Sequence, residues 1–237
     1  MSRSTAAAKI NLALLVGARR ADGLHEIATI MQRIDVCDRI ELERAPALAV
    51  EGFAQDTLVR AALLRLAEAA GAAAEWRVRI HKEIPVAAGL GGGSADAAAA
   101  LRLANETLRE PLTAERLHEL AVGLGADVPF FLEVGPKLAE GAGDRLTPLD
   151  LPQDYWVLVA LPRGARKRAT ADVYGQFDEL GGEQGFEARK QTLVEALAAC
   201  RRPRHLAEFP ANDLAEAAGG TTLAADLLAA GAFRADL

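Results

Sequence analysis

The stretch 85-PVAAGLGGGSADAAAA-100 decides how this chain folds, because it sets four glycines and a hydroxyl residue directly before an alanine-rich run. Glycine lets the backbone turn tightly and approach a ligand without interference from a side chain. The amide groups exposed at the start of a helix attract anions, and alanine has the highest helix propensity. The segment therefore predicts a phosphate-binding turn followed by a helix over residues 94–108.

The spacing of these glycines excludes the two commonest nucleotide-binding loops. A P-loop requires Gly-Lys-Ser or Gly-Lys-Thr, and no Gly-Lys pair occurs in the chain. A dinucleotide-binding fingerprint would need glycine where Ser94 stands. On this segment alone, a purely structural turn between a strand and a helix stays open as the alternative.

Composition limits the classes of protein to which the chain can belong. With 237 residues, 51% of them hydrophobic and 25% charged, it has the makeup of a soluble globular protein. A net charge of -6 gives no general footprint for nucleic acid, and no apolar run approaches the roughly 18 residues of a membrane span. The two cysteines, Cys37 and Cys200, are too far apart in sequence to indicate a zinc site or a disulfide framework. We expect a cytoplasmic protein without a nucleic-acid or membrane partner.

Alternating and amphipathic patterns predict the rest of the secondary structure. Residues 9–16 alternate so that the apolar side chains share one face of a strand, while Lys9 and Asn11 share the other. Further strands are predicted at 27–34, 39–43, 76–80 and 155–161, and further helices at 57–70, 113–123, 170–180 and 186–201. Strands that precede a helix-rich half indicate an α+β architecture in two lobes. We place the boundary near residue 150, between an N-terminal domain (1–150) and a C-terminal domain (151–237).

Two further segments carry residue types that suit phosphoryl transfer, which needs an anion cradle, a cation and a group that deprotonates the acceptor hydroxyl. The first is 8-AKIN-11, in which Lys9 supplies the cation; an exposed lysine on an edge strand is the alternative. The second is 125-GADVPFF-131, in which Asp127 stands where packing needs no carboxylate. A role for Asp127 as a helix cap or turn residue stays open, since aspartate favours such positions.

In their order along the chain, 8–11, 85–100 and 125–131, the three segments resemble motifs of the GHMP kinases, a superfamily of small-molecule kinases. The closest resemblance is to the branch that acts on a cytidylated sugar alcohol. It implies an N-terminal lobe like the ribosomal S5 domain 2 fold and a ferredoxin-like C-terminal lobe. It also implies ATP-dependent phosphorylation of the 2-hydroxyl of 4-diphosphocytidyl-2-C-methylerythritol, a step towards isoprenoid precursors. A GHMP kinase of the homoserine or mevalonate type is one alternative, and a non-catalytic nucleotide-binding remnant is another.

The resemblance also implies roles for individual residues. Asp127 would be the catalytic base, Lys9 would stabilise the developing oxyanion and orient Asp127, and Asn11 would contact the substrate. Mg²⁺ is expected as the counter-ion of ATP, with Ser94 as its contact or that of a phosphate. The residues expected to bind ATP are Pro85, Ala88, Gly89, Leu90, Gly91, Gly92, Gly93 and Ser94.

A fourth segment, 19-RRADGLHE-26, resembles the stretch whose histidine recognises cytosine in this branch, which implies that role for His25. Leu24 stands where the branch usually has tyrosine, so stacking on the base, worth roughly 1–3 kcal/mol, would be weakened. Tyr174, in 169-ATADVY-174, would cover one face of the base; core packing is its alternative role.

Proteins with these motifs normally continue into another glycine-rich loop and two more strands. This sequence stops at 231-GAFRADL-237, where that loop is expected. We therefore expect an incomplete C-terminal lobe that leaves a sheet edge uncovered.

Overall fold

A computed structural model of the chain describes residues 1–161, 169–217 and 223–235, so the last two residues of the predicted incomplete end lie outside it. The strands are β1 (Ser2–Arg19), β2 (His25–Arg44), β3 (Ala49–Glu51), β4 (Trp76–His81), β5 (Lys137–Gly141) and β6 (Arg145–Pro148). The α-helices are α1 (Leu58–Ala69), α2 (Gly92–Asn105), α3 (Ala114–Val122), α4 (Val128–Leu132), α5 (Thr170–Glu179), α6 (Phe186–Ala199) and α7 (Leu223–Ala229). A 3₁₀ helix covers Pro203–Glu208.

Packing divides the chain into two compact units. The first comprises Met1–Ile10 and Arg33–Val134, and the second comprises Asn11–Gln32 and Gly135–Leu237. The long strands β1 and β2 each contribute residues to both units. The domain boundary near residue 150 stays a prediction.

The sheet of the first unit is built on β4. The end of β2 pairs with β4 in antiparallel register, from Arg39 opposite His81 to Arg44 opposite Trp76. The short strand β3 pairs with the other edge of β4 in parallel. Alternate residues of β4 are buried, as the sequence pattern predicts. The outward arginines of this strand form surface ion pairs with glutamates of β2 and β3.

Helices α1 and α2 pack together in the first unit. The alanines of α2 are almost all buried, and their small side chains let neighbouring elements approach closely. Helix α1 begins after Asp56, whose carboxylate accepts hydrogen bonds from the N–H groups of Val59 and Arg60. Helix α3 begins after Thr113, whose hydroxyl accepts the N–H of Arg116.

The second unit combines strands β2, β5 and β6 with helices, and β1 also pairs with β2. The start of β2 pairs with β5, which pairs with β6 through a turn at Gly141 and Gly143. Both glycines have positive φ, at 72° and 97°, a backbone conformation that is unfavourable for residues with a side chain. A small core forms where Val16, Phe177 and Ala217 meet. Beside it the guanidinium of Arg189 donates to the carboxylate of Asp213 at 3.0 Å and to carbonyl oxygens of neighbouring segments.

Two predictions about strands are wrong. Residues 27–34 and 39–43 belong to one continuous strand, β2, which pairs with β5 over residues 27–31, with β4 over residues 39–44 and also with β1. Residues 155–161 form no strand in the structure, and Trp156 and Leu158 are exposed. An apolar run forms a strand only when another strand supplies its hydrogen bonds, and the described ranges contain no such partner for this run.

The two tryptophans of the chain allow a matched test of this packing. The side chain of Trp76 is fully buried, whereas Trp156 is 98% exposed. We expect Trp76→Ala to lower the free energy of unfolding by about 3–5 kcal/mol. Trp156→Ala should change it by less than about 0.5 kcal/mol. Urea denaturation of both variants measures this, and a comparable loss in Trp156→Ala would contradict the described packing.

Candidate active site

The glycine segment forms a tight turn between β4 and α2. Gly89 and Gly91 have φ values of 77° and 71°, and Ala87 reaches 63°, which is uncommon for a residue with a side chain. The N–H of Lys9 donates to the carbonyl of Leu90 at 2.9 Å, so β1 holds the turn through its backbone. Of the residues predicted to bind ATP, Pro85, Ala88, Gly89 and Leu90 lie in this turn, and Gly92, Gly93 and Ser94 begin the helix.

Gly91 occupies the tightest point of the turn. A Cβ built there would lie 2.9 Å from Cζ of Phe131 and 3.0 Å from Cγ of Lys9. Real Cβ atoms are rarely this close to other heavy atoms. The turn, the stem of Lys9 and helix α4 therefore meet at a point where only glycine fits.

The first turn of α2 presents unpaired amides. The first intrahelical bond runs from the N–H of Ala95 to the carbonyl of Gly91. The N–H groups of Gly92, Gly93 and Ser94 thus have no partner within the helix. Together with the positive end of the helix dipole, these three amides can bind an anion such as a phosphate.

Lys9 and Asp127 form an ion pair beside this turn. The Nζ atom of Lys9 lies 3.5 Å from Oδ2 of Asp127, and their side chains are 9% and 35% exposed. Asp127 directly precedes α4, yet its carboxylate makes no capping hydrogen bond to that helix. Pro129 stands in the first turn of α4, where its missing N–H leaves no bond unmade. The carboxylate is therefore directed to Lys9 and remains partly open to solvent.

A buried polar cluster at the base of the turn was not predicted from the sequence. Asp38 accepts the N–H groups of Glu83 and Ile84 at 2.6 and 2.8 Å, and it also accepts a hydrogen bond from Lys82. Lys82 donates in addition to Oδ2 of Asp96 in α2, at 2.9 Å. The cluster thus ties the start of the turn to the helix that follows it. Its one sequence signal is the single aspartate within the alanine run of α2.

Burial raises the pKa of Asp96 to about 7, although Lys82 opposes the shift. Its Oδ1 atom is buried and has no hydrogen-bond partner. Burial would lower the pKa of Lys82, but its hydrogen bonds to the two aspartates raise it instead. Lys82 thus stays charged at neutral pH, while Asp96 titrates there.

The residues predicted to bind the substrate lie in the second unit. Nε2 of His25 is 2.7 Å from Oδ1 of Asp178, and the ring of Tyr174 lies 4.8 Å from the imidazole, centroid to centroid. The side-chain amide of Asn11 donates to the hydroxyl of Thr29 at 2.6 Å. Of the residues predicted to bind the substrate, the structure therefore brings His25 and Tyr174 into contact. Leu24, beside His25, is 53% exposed.

Each unit thus gathers one part of the predicted site. Lys9, Asp127 and the glycine turn lie in the first unit, and Asn11, His25 and Tyr174 lie in the second. Among the described residues, no three His, Cys, Asp or Glu side chains form a group that could hold a metal ion. In the same part of the chain, no helix is long and apolar enough to cross a membrane.

The chain is similar to known proteins in both sequence and fold. A model of the GHMP kinases N terminal domain matches residues 57–135. A 4-diphosphocytidyl-2-C-methyl-D-erythritol kinase of Pelotomaculum thermopropionicum is 44% identical over 201 residues, covering 81% of this chain and 68% of that protein. The kinase of the same name from Citrifermentans bemidjiense is 46% identical over 168 residues, covering 66% of this chain. That match spans 59% of the Citrifermentans protein, about three fifths of its length.

A solved structure is also similar. The crystal structure of a 4-(cytidine 5'-diphospho)-2C-methyl-D-erythritol kinase aligns with a TM-score of 0.68 and 32% identity, covering 97% of this chain and 81% of that chain. This match confirms the α+β fold class predicted from the sequence.

The turn can be tested with two neighbouring glycines. Gly91→Ala places a side chain against Phe131 and Lys9 and forces alanine to positive φ, which costs about 1–2 kcal/mol before any contact is counted. Gly93→Ala is the control, because a Cβ there meets nothing within 4 Å. We expect urea denaturation to show a loss for Gly91→Ala and none for Gly93→Ala. Equal stability of the two variants would contradict the described turn.

The pKa of Asp96 predicts a pH dependence of stability. Its value of about 7 lies above the ordinary 3.8, so between these pH values the folded state keeps a proton that the unfolded chain has lost. The contribution of Asp96 to stability is therefore greatest below pH 4 and falls as the pH rises towards 7.

Asp96→Asn removes this titration. We expect the wild type to lose stability relative to the variant between pH 4 and 7, by at most about 1.4 kcal/mol per pH unit. Urea denaturation across that range measures the difference. A difference that does not change with pH would show that Asp96 titrates normally.

Proposed function

The chain belongs to the GHMP kinases and, among them, to the 4-diphosphocytidyl-2-C-methyl-D-erythritol kinase family, and from that membership we propose that it phosphorylates 4-diphosphocytidyl-2-C-methylerythritol. The γ-phosphoryl group of ATP would be transferred to the 2-hydroxyl, in the synthesis of isoprenoid precursors. The observation that carries the proposal is the ion pair of Lys9 and Asp127, at 3.5 Å, beside a glycine turn that opens a helix.

The glycine turn suits the triphosphate of ATP. Three helix-start amides, those of Gly92, Gly93 and Ser94, offer hydrogen bonds to phosphate oxygens. A side chain at Gly91 would collide with Lys9 and Phe131, so the backbone there keeps a shape that other residues could not adopt. The turn would hold the phosphates close to the Lys9 ammonium.

Mg²⁺ would enter with the nucleotide and would neutralise phosphate charge during transfer. We propose that the hydroxyl of Ser94, in the first turn of α2, would contact the ion or a phosphate.

The Lys9–Asp127 pair supplies the groups that act on the acceptor. Asp127 takes the proton of the 2-hydroxyl as that oxygen forms its bond to the γ-phosphorus. The bond between the γ-phosphorus and its bridging oxygen breaks, and ADP leaves. Lys9 stabilises the negative charge on the attacking oxygen and holds the carboxylate in place. The low exposure of Lys9 strengthens both effects, because water screens the ammonium poorly.

The second unit would recognise the cytidine half of the substrate. We assign a hydrogen bond with cytosine to His25, whose Nε2 is engaged with Asp178 and whose ring contacts Tyr174. Tyr174 would stack on the base, and Asn11 would contact the substrate. Leu24 offers no aromatic ring for the opposite face of the base, so we expect weaker stacking than in relatives that have tyrosine there.

We place the protein in the cytoplasm, acting on a small molecule without a nucleic-acid or membrane partner. The net charge of -6 supports the absence of a nucleic-acid partner, because the phosphate backbone of a nucleic acid repels an acidic protein.

Release of ADP tests the assignment of Lys9 and Asp127. We expect Asp127→Asn and Lys9→Met each to lower kcat by about 10²–10⁴-fold, since each removes a group that acts in the transition state. Asp56→Asn is the matched control, because Asp56 also stands at a helix start but its carboxylate accepts the N–H groups of Val59 and Arg60 in α1. It should leave kcat unchanged and change the free energy of unfolding by less than about 1 kcal/mol, because asparagine caps helices about as well as aspartate.

The catalytic base and the acceptor are tested separately. Normal turnover in Asp127→Asn would exclude Asp127 as the base. Substrate profiling decides the acceptor: phosphorylation of homoserine or mevalonate, with no reaction of the cytidylated alcohol, would replace the proposed substrate by another alcohol.

A further inference from the structure

Two arginines converge on the carboxyl end of the short helix α4. Nη2 of Arg33 donates to the carbonyl of Phe131 at 2.8 Å, to that of Phe130 at 3.3 Å and to that of Glu133. Nη1 of Arg102 donates to the same carbonyl of Phe131, at 2.6 Å. Two cations thus share one acceptor in a half-buried place.

Placing two half-buried guanidiniums on one carbonyl is electrostatically unfavourable. Burial lowers the pKa of both guanidiniums, and the charge of Arg102 lowers that of Arg33 further. The Nε atom of Arg33 is buried without a hydrogen-bond partner. Like charges repel each other, and a negative charge between them offsets that repulsion. The carbonyls at the end of α4 supply it, because they carry the negative end of the helix dipole.

Helix α4 needs such support. It has five residues, too few to be stable alone. Residues 128–132 span about 7.5 Å, and Asp127 stands immediately before them. Whatever fixes the last carbonyls of α4 therefore also fixes the place of Asp127 at its other end.

Arg102 links this helix to the glycine turn. It lies on α2, ten residues after Gly92, so one rigid helix carries both the turn amides and the arginine that holds α4. The ring of Phe131 completes the connection, because it lies against Gly91 and is buried. The separation of Asp127 from the turn is thereby set through α2 and α4 together.

We propose that Arg33 and Arg102 are positioning residues, which hold α4 so that Asp127 stays against Lys9 beside the glycine turn. This inference rests on the proposed function, in which Asp127 takes the proton of the acceptor. Neither arginine touches the reacting atoms. Each acts only through the placement of the carboxylate.

Steady-state kinetics of Arg102→Met measure this placement. A displacement of a reacting group by about 1 Å can cost about 10²-fold in rate, so we expect kcat to fall about 10–100-fold. The KM for ATP should change by less than about 3-fold, because the turn amides stay on α2. Arg102→Lys can still donate to the carbonyl of Phe131 and should recover most of kcat.

Arg44→Met is the matched control. Like Arg33, Arg44 lies on β2 and donates to a backbone carbonyl, that of Thr107, at 2.5 Å. Its guanidinium is 5.9 Å from the ring centroid of Trp76. Arg33 resembles it, with its guanidinium 5.6 Å from the ring centroid of Phe130. Arg44→Met should lower stability while kcat stays at the wild-type value. A fall in kcat equal to that of Arg102→Met would overturn the proposal.

A double-mutant cycle with Asp127→Asn separates positioning from general structural damage. If Arg102 acts through Asp127, adding Arg102→Met to Asp127→Asn should lower single-turnover rates by less than about 2-fold. A full additional loss in that background would overturn the proposal. Should Arg102→Met fail to fold, Arg33→Met in the same cycle decides, since it removes the nitrogen that donates to the carbonyls of Phe130, Phe131 and Glu133.

Failure of this inference and failure of the proposed function give different results. Wild-type kcat in Arg102→Met, with Asp127→Asn inactive, rejects the positioning role alone. Wild-type kcat in Asp127→Asn rejects the base assignment and the positioning role with it.

Discussion

The close approach of the Gly91 backbone to the stem of Lys9 and the ring of Phe131 is the constraint on which the rest of the first unit depends. It leaves no room for a Cβ. Because of this approach, strand β1 and helix α4 both pack directly against the start of α2. The amides of the turn, the ammonium of Lys9 and the carboxylate of Asp127 are consequently held in one compact unit, as the phosphoryl transfer that we propose would need.

Around this contact, charged side chains that are largely shielded from solvent form hydrogen bonds with other protein groups. Lys82 joins Asp38 to Asp96 beneath the turn, and Arg33 and Arg102 hold the end of α4. Removing a charge from water is unfavourable unless opposite charges or dipoles replace the lost hydration. These groups therefore stabilise a particular placement of the turn and of α4 more than they stabilise the fold as a whole.

Local patterns in the sequence were enough to predict the turn, most helices and the strands around Lys9 and Trp76, since glycine spacing and alternation depend on near neighbours. They failed for residues 155–161, where an apolar run lacks a partner strand in the described structure. They also missed Arg33 and Arg102, whose contacts lie 29 to 100 residues away along the chain. Such contacts depend on how distant elements pack, and no local pattern records them.

We propose that this chain transfers a phosphoryl group to one particular hydroxyl. The most direct test incubates the protein with ATP and 4-diphosphocytidyl-2-C-methylerythritol and identifies the product by ³¹P NMR. We expect ADP and a new phosphomonoester on the 2-hydroxyl. Unchanged ATP and substrate, or a phosphate on a different hydroxyl, would contradict the proposed transfer.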